Sequence, residues 1–256
     1  VAGARNHLPE EGDEVWTLLV GLVAHEDARR PRAAAARALS RIDAHRAAAL
    51  LNTLIHQEHV DPALRSAGIE ALFASEEHQE RGKKIVLGSW DYIQNHNPAH
   101  RREFARLLGR LPEGDWSLLL AEMFQDSEAS VIRIAIESAG QVQSEALIEP
   151  LMDCLGKRGF RKEARRALAN YGNLITDRAQ HWLNDTTLSL QVRQEVPRLL
   201  RMIGSHEAAD ALLKSNPDDD PFLQHRVAMA LSRLVHQNPK VSSHLDQAWI
   251  HSAIER

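Results

Sequence analysis

The sequence predicts an all-α protein in which about seven helix pairs stack into a right-handed α-α superhelix, with residues 1–256 forming a single solenoid domain. Three observations lead to this prediction. A pattern recurs at intervals of 29 to 36 residues, apolar residues follow helical spacing, and no alternating strand pattern competes with them. The composition agrees, because 43% hydrophobic and only 5% aromatic residues are typical of closely packed helices with small side chains.

The repeat is defined by a basic position, here called the Arg slot, with an apolar residue seven positions later. In the seven repeats the slot holds Arg32, Arg65, Arg101, Ile132, Arg161, Arg193 and Gln224. The later position holds leucine in six repeats and Ala139 in the fourth. This regularity exceeds what helix propensity alone would produce, so the period indicates stacked repeats.

Each aligned segment is predicted to be the second helix of a pair, preceded by a first helix with its own apolar stripe. The second helices are predicted over residues 28–42, 61–75, 98–111, 128–142, 157–170, 190–203 and 220–235. Asp-Pro pairs at 61–62 and 220–221 predict capped helix starts. Glycines after second helices predict left-handed ends at Gly140, Gly172 and Gly204, and Pro197 is expected to bend its helix and free a carbonyl.

The stretch from Glu145 to Gly172 resembles the short bacterial HEAT repeats that also occur in phycobilin lyases. ALIEPLMDCLG matches a first helix with the family's kinking proline, Pro150, and FRKEARRALANYG matches a second helix with Arg161 in the Arg slot. The resemblance implies that second helices line a concave side. It also implies that slot arginines and a loop aspartate bond between repeats, and the residues concerned are Arg32, Arg65, Arg101, Asp126 and Arg193.

A narrower resemblance concerns VRQEVPRLLRMIG, from Val192 to Gly204, with its flanking repeats. This stretch is similar to the cytoplasmic HEAT region of some bacterial transporters related to ATP/ADP antiporters. The resemblance implies a cytoplasmic domain tethered to the inner face of the membrane through a membrane domain, and the start at Val1 without Met fits an excised piece or a trimmed sequence equally well. The longest apolar run, residues 15–24, is about half of a membrane span, so no transmembrane segment is expected.

The sequence predicts no catalytic residue, no cofactor and no metal site. A lone Cys154 suits a reducing compartment and excludes a cysteine metal cage. His56 and His59 have the spacing of two ligands on a helix face but lack an HExxH pattern, so a solvated helix end is the preferred interpretation. An enzyme of the bilin lyase type stays open as an alternative because that family shares the repeat.

Charge is segregated between the two predicted helix layers. The second helices contain 22 basic and 8 acidic residues, whereas the remainder of the chain contains 9 basic and 27 acidic residues. The net charge of −4 therefore combines a basic layer of +14 with an acidic layer of −18. A basic concave surface predicts a protein partner, an adjoining membrane domain, an acidic segment or anionic headgroups. The candidate contacts are Arg37, Arg41, Arg106, Arg161, Arg165, Arg166, Arg198 and Arg201.

A competing interpretation is that these arginines pair with acids of the next repeat. Arginine and glutamate alternate five residues after the slot over the first five repeats, and stacked helices lie about 8–10 Å apart, so an intramolecular ladder is the preferred interpretation for much of the layer. The positive charge left without an acidic partner is expected to be greatest from Arg161 to Arg201. Nucleic acid is a poorer fit, because the tryptophans fall in first helices or the terminal segment rather than beside the basic layer. We therefore predict a non-catalytic scaffold that acts through its second-helix surface.

Overall fold

A computed structural model describes residues 11–25, 29–56, 60–112, 115–215, 220–238 and 241, with the side chains of residues 11, 12, 29 and 30 excepted. The chain divides into two compact units, Val1–Asp115 and Trp116–Arg256. Every regular element in the described residues is helical. The predicted all-α class is therefore confirmed, while a single domain over residues 1–256 stays a prediction.

The first unit contains three helix pairs. The helices are α1 (Glu11–Ala24), α2 (Arg29–Ile42), α3 (Ala44–Ile55), α4 (Pro62–Ala74), α5 (Gln79–Ile93) and α6 (Pro98–Arg110), and a 3-10 turn at Glu76–His78 precedes α5. Helices α1 and α2, α3 and α4, and α5 and α6 pack as pairs. The second helices α2, α4 and α6 also contact one another in chain order, which is the layered packing that a helical repeat requires.

The second unit contains four pairs. Its helices are α7 (Ser117–Met123), α8 (Ala129–Val142), α9 (Ile148–Gly156), α10 (Arg161–Ala169), α11 (Thr176–Asn184), α12 (Leu190–Arg193), α13 (Val196–Ile203), α14 (His206–Lys214) and α15 (Pro221–Gln237). Two 3-10 turns, Glu145–Leu147 and Gly172–Ile175, precede α9 and α11. Helices α8, α10, α13 and α15 contact one another in chain order as the second-helix layer. The described residues thus form seven pairs, as predicted.

The core of each unit is lined by the apolar position of the repeat. All seven residues that follow the Arg slot by seven positions are at most 2% exposed: Leu39, Leu72, Leu108, Ala139, Leu168, Leu200 and Leu231. A buried residue at the same place in every second helix holds each helix in register with its neighbours. The periodicity of the sequence therefore correctly identifies the buried face.

The predicted helix boundaries are largely confirmed. Asp61 Oδ1 accepts hydrogen bonds from Ala63 N (2.9 Å) and Leu64 N, and Asp220 caps α15 in the same way. Gly172 and Gly204 have positive φ angles of 57° and 73°, as expected of left-handed residues that close a helix.

The prediction for Gly140 is wrong. It lies inside α8, and Gln143 supplies the left-handed residue at the helix end with a φ of 54°. Gly140 is instead needed for a close approach between helices, because an added Cβ would lie 2.7 Å from Cα of Ala167 on α10.

At Pro197 the structure shows a break in the helix, whereas the sequence predicted only a bend. The predicted helix at 190–203 is divided into α12 and α13, with Pro197 in the first turn of α13. Pro has no N–H to donate to the preceding turn, so continuous helical bonding fails there. The break leaves the carbonyl of Gln194 accepting from Arg226 Nη1 of the next repeat at 3.1 Å, so a side chain of α15 replaces part of the lost backbone bonding.

Polar side chains at the ends of second helices join successive repeats in the second unit. Asn170 Nδ2 donates to the carbonyl of Gly140 at 3.1 Å, and Asn238 Nδ2 donates to the carbonyl of Gly204 at 3.0 Å. Tyr171, which is 3% exposed, donates its hydroxyl hydrogen to the carbonyl of Ser144 at 2.9 Å. These bonds satisfy carbonyls near helix ends, which have no partner within the helix.

We expect Tyr171→Phe to lower the free energy of unfolding by about 1 kcal/mol at neutral pH, because the carbonyl of Ser144 loses its donor. Burial raises the pKa of Tyr171 to about 12, while the unfolded chain has a tyrosine pKa of about 10. The unfolded state therefore loses this proton first, and the contribution of Tyr171 falls as pH rises from about 10 to 12. Urea unfolding at pH 9 and pH 11 should show the difference between wild type and Tyr171→Phe shrinking.

Tyr92→Phe is the control, because Tyr92 is 43% exposed. It should change neither the stability nor its alkaline dependence by a comparable amount. A Tyr171→Phe protein with unchanged stability at pH 9 would show that the bond to Ser144 contributes nothing.

Candidate functional site

The slot arginines mainly bond to the end of the first helix in their own pair. Arg32 Nε donates to the carbonyl of Val23 at 2.7 Å, and Arg193 Nε donates to that of Leu183 at 3.0 Å. Arg161 Nε bonds to the carbonyl of Leu155 at 3.0 Å, and Arg101 bonds to that of His96. A guanidinium at a helix C-terminus satisfies free carbonyls and opposes the negative end of the helix dipole. These bonds lie within a pair, which differs from the inter-repeat role that the family resemblance implied.

Two slot arginines, Arg65 and Arg161, contact the next repeat, whereas Asp126 bonds within its own loop. The Arg65 guanidinium lies 5.6 Å from the ring centroid of Tyr92 on α5, in the next pair. Arg161 also reaches Glu195 of the next repeat at 3.6 Å. Asp126 Oδ1 accepts from the N–H of Glu128 at 2.8 Å and so shapes the loop before α8. The Arg slot is therefore primarily a helix-capping position.

The first unit contains the ladder that the alternation of charge predicted. Glu70 on α4 lies 2.9 Å from Arg37 and 2.6 Å from Arg110, measured between nitrogen and oxygen. Glu103 on α6 lies 3.1 Å from Arg110, 3.2 Å from Arg106 and 3.8 Å from Arg37. Three arginines thus share two carboxylates across three second helices. A network is worth more than isolated surface pairs.

This ladder changes the interpretation of two candidate contacts. Arg37 and Arg106 form ion pairs within the molecule, so the structure does not place them on a free basic surface. Arg41 is exposed and its side chain has no ion pair with the part of the chain that the structure describes, so it stays a candidate contact. The ladder therefore removes two of the three candidate contacts in the first unit.

In the second unit one carboxylate is surrounded by arginines. Glu195, at the break between α12 and α13, is 8% exposed and forms an ion pair with Arg165 of α10, which is 6% exposed. Burial and the nearby Arg198 lower the pKa of Arg165, and Glu195 opposes that shift. Arg165 is therefore a structural residue, and its prediction as a partner contact is wrong because its side chain is enclosed between repeats.

Glu195 was not predicted, because it lies outside the positions five and nine residues after the slot at which the charge pattern was read. It lies two residues after Arg193, and Glu103 of the ladder lies two residues after Arg101. Glu195 reaches Arg165 of the neighbouring repeat, and Glu103 reaches Arg37 two repeats away. An acid two positions after the Arg slot marks both of these ion pairs, although Glu163 at the same position of its repeat forms none with a described residue.

Three predicted arginines remain available beside this pair, and we call Arg166, Arg198 and Arg201 the unit-2 basic surface. Arg166 and Arg198 are exposed, and their side chains form no ion pair or hydrogen bond with any described residue. Arg201 is half-buried and donates to a neutral group, Gln237 Oε1 on α15, at 3.3 Å. Arg198 and Arg201 both lower the pKa of Arg165, so their guanidinium groups lie near the Glu195 pair, and Arg166 follows Arg165 on α10.

Apolar side chains continue this surface along the same layer. Met202 on α13 is 38% exposed, and Met229 on α15 is 40% exposed. Met229 occupies the position that Arg166 and Arg198 occupy in the two preceding repeats. Exposed arginines beside flexible apolar side chains are typical of surfaces that bind other proteins.

The described residues give little support to chemistry at the cysteine or the tryptophans. Cys154 is buried, and burial raises the pKa of its thiol, which makes it a weak nucleophile. Trp16, Trp116 and Trp182 are each at most 8% exposed, so they belong to the packing of first helices, while Trp249 and His59 lie outside the described residues. Within the described part of the chain, no helix is long and apolar enough to cross a membrane.

A family model for HEAT repeats matches residues 91–169, about a third of the chain. No curated protein matches the chain significantly. Among solved structures, two crystal structures of engineered proteins from the Northeast Structural Genomics Consortium are similar. One has a TM-score of 0.36 and 17% identity over 93% of this chain and 82% of its own. The other has a TM-score of 0.32 and 19% identity over 87% of this chain and 97% of its own. At such TM-scores no conclusion follows from the likeness.

Proposed function

We propose that this protein is a non-catalytic helical-repeat scaffold whose unit-2 basic surface binds an acidic segment of a partner protein. The observation that carries the proposal is the surplus of charge beside the Glu195 pair. Four arginines, Arg161, Arg165, Arg198 and Arg201, meet there around a single carboxylate, and Arg166 follows Arg165 on the same helix. In the first unit three arginines, Arg37, Arg106 and Arg110, share two acids, Glu70 and Glu103.

The unpaired arginines are suited to binding carboxylates because of the geometry of the guanidinium group. Each guanidinium presents a planar fork of N–H donors that pairs with a carboxylate through two parallel hydrogen bonds. Arg166 and Arg198 have no competing acid in the described residues, and Arg201 would exchange only a bond to Gln237. A carboxylate arriving here therefore gains charge-assisted bonds without displacing an existing ion pair.

The methionines favour a protein over a nucleic acid or a lipid headgroup. Single-stranded nucleic acid requires aromatic platforms beside the charge, and the described tryptophans are on first helices. Met202 and Met229 instead offer deformable apolar contacts next to the arginines. A segment that alternates acidic and apolar residues would complement both features.

The source of the acidic segment forms the finer part of the proposal. The resemblance of residues 192–204 to the cytoplasmic region of antiporter-related transporters supports an adjoining membrane domain as one source, and a separate protein is the other. We place this function in the cytoplasm, where a single buried thiol such as Cys154 stays reduced.

The test is binding of a fluorescent peptide in which Asp and Glu alternate with Leu, followed by anisotropy at low and physiological salt. Wild type should bind, and more weakly at higher salt because the exposed charges are screened. The double variant Arg166→Glu with Arg198→Glu should weaken binding by at least about 10-fold, since both charges become repulsive.

The matched control is Arg178→Glu with Lys214→Glu. It changes the net charge by the same amount in the same unit, but on the first helices α11 and α14. It should leave peptide binding within about twofold of wild type. If both double variants lost peptide binding equally, the effect would come from net charge alone, and the proposal would be overturned. Binding to phosphatidylserine vesicles without binding to the peptide would also overturn it in favour of a lipid surface.

A further inference from the structure

Two first helices of the first unit bring three potential metal ligands together at their N-terminal ends. His45 is the second residue of α3, and Glu77 and His78 lie in the 3-10 turn before α5. One ligand atom from each side chain lies within 4.8 Å of the other two. The sequence search missed this group because its members are 32 residues apart and belong to neighbouring pairs.

The spacing of these atoms matches a small tetrahedral ion. His45 Nδ1 and Glu77 Oε2 are 3.3 Å apart. Two ligands bound at about 2.0–2.1 Å in tetrahedral geometry are separated by about 3.3–3.4 Å. The side chains of His45 and Glu77 are 63% and 72% exposed, which leaves them room to adjust around an ion.

His78 is held in an orientation suited to coordination. Its Nδ1 lies 3.0 Å from Ser75 Oγ, and Ser75 is 6% exposed. When Nδ1 carries the proton and donates it to that hydroxyl, Nε2 keeps a free lone pair for a metal. A ligating imidazole usually has such a second partner on its other nitrogen.

We propose that His45, Glu77 and His78 form a binding site for a divalent ion of the zinc class. Two imidazoles and one carboxylate are donors that zinc and neighbouring transition metals prefer, whereas calcium and magnesium prefer oxygen ligands throughout. Three protein ligands leave a fourth position, which water fills.

The bound ion would connect two repeats. His45 begins the first helix of the second pair, and the other two ligands precede the first helix of the third pair. An ion that binds the folded unit and not the unfolded chain raises the stability in proportion to the logarithm of its concentration above Kd. The site is therefore a clamp between adjacent repeats, and it is independent of the unit-2 basic surface.

Zinc binding is tested by titrating zinc chloride into the full chain, freed of any histidine tag, by calorimetry and thermal unfolding. Wild type should bind one zinc ion and unfold at a higher temperature in its presence, while calcium and magnesium should have no effect. His45→Ala and Glu77→Gln should each weaken binding by more than about 10-fold, and Ser75→Ala should weaken it by about 10-fold through the loss of the orienting hydroxyl.

The controls separate this site from other histidines. His96 and His100 have ring centroids 5.2 Å apart in the same unit, so His96→Ala removes an imidazole from the alternative pair. It should leave zinc binding unchanged. Both ligand variants replace exposed side chains, so their melting temperatures without zinc should equal that of wild type. The proposal would be overturned if wild type bound no zinc, or if His45→Ala and Glu77→Gln bound zinc as tightly as wild type.

Discussion

Glu195→Gln is expected to lower the free energy of unfolding by about 3–5 kcal/mol, because it leaves the enclosed Arg165 without its counter-charge. The side chains of Arg165 and Glu195 are 7% and 10% exposed, so water cannot replace the lost carboxylate easily. Arg198 and Arg201 add to the cost, since both already disfavour the charged form of Arg165. Chemical unfolding followed by circular dichroism measures the change.

Two further variants show whether the effect comes from the buried charge. Glu145→Gln removes the acid of an exposed pair with Arg178, at 3.4 Å in the same unit, and should cost less than about 1 kcal/mol. Replacing Arg165 and Glu195 together by Met should recover much of the loss, because no uncompensated charge remains. If Glu195→Gln costs no more than Glu145→Gln, the pair does not stabilise the packing of α10 on α13.

Gly140→Ala is expected to destabilise the protein by about 1–3 kcal/mol, although alanine normally favours a helix over glycine. The added Cβ would lie 2.7 Å from Cα and 2.9 Å from Cβ of Ala167 on α10. The backbone cannot yield there without separating α8 from α10. That separation would also strain the bond from Asn170 to the carbonyl of Gly140.

Gly88→Ala is the matched control, because nothing lies within 4 Å of a Cβ added in the middle of α5. This variant should be more stable than wild type by up to about 1 kcal/mol. The two identical substitutions should therefore have opposite signs in thermal or urea unfolding. A stabilising Gly140→Ala would show that α8 and α10 are not in close contact.

The sequence predicts helix positions well because the repeat pattern, the Arg slot with an apolar residue seven positions later, recurs seven times. The described second helices differ from the predicted ranges by no more than four residues at either end, and the break at Pro197 is the one departure inside a helix of the described chain. Asp61 and Asp220 mark helix starts because capping involves only residues two or three positions away. Local rules of this kind need no knowledge of neighbouring repeats.

The candidate site was less predictable, because ion pairs join residues about 30 positions apart. The arginines lie on second helices, as the sequence indicates, but Arg165, which was assigned to the surface, is buried in an ion pair with Glu195. Whether an arginine is paired depends on side-chain distances of a few ångströms between repeats of unequal length. A charge count along a helix does not contain that information.

The sequence by itself determined the helical class, the seven pairs, the buried leucine position and the segregation of charge, since periodicity and capping act within one repeat. Only the tertiary structure decided that Gly140 serves a close helix contact, that Arg37, Arg106 and Arg110 pair with Glu70 and Glu103, and that Arg166, Arg198 and Arg201 remain available. It also brought His45 to Glu77 and His78. The physical reason is the same in each case, because these properties arise where two repeats meet.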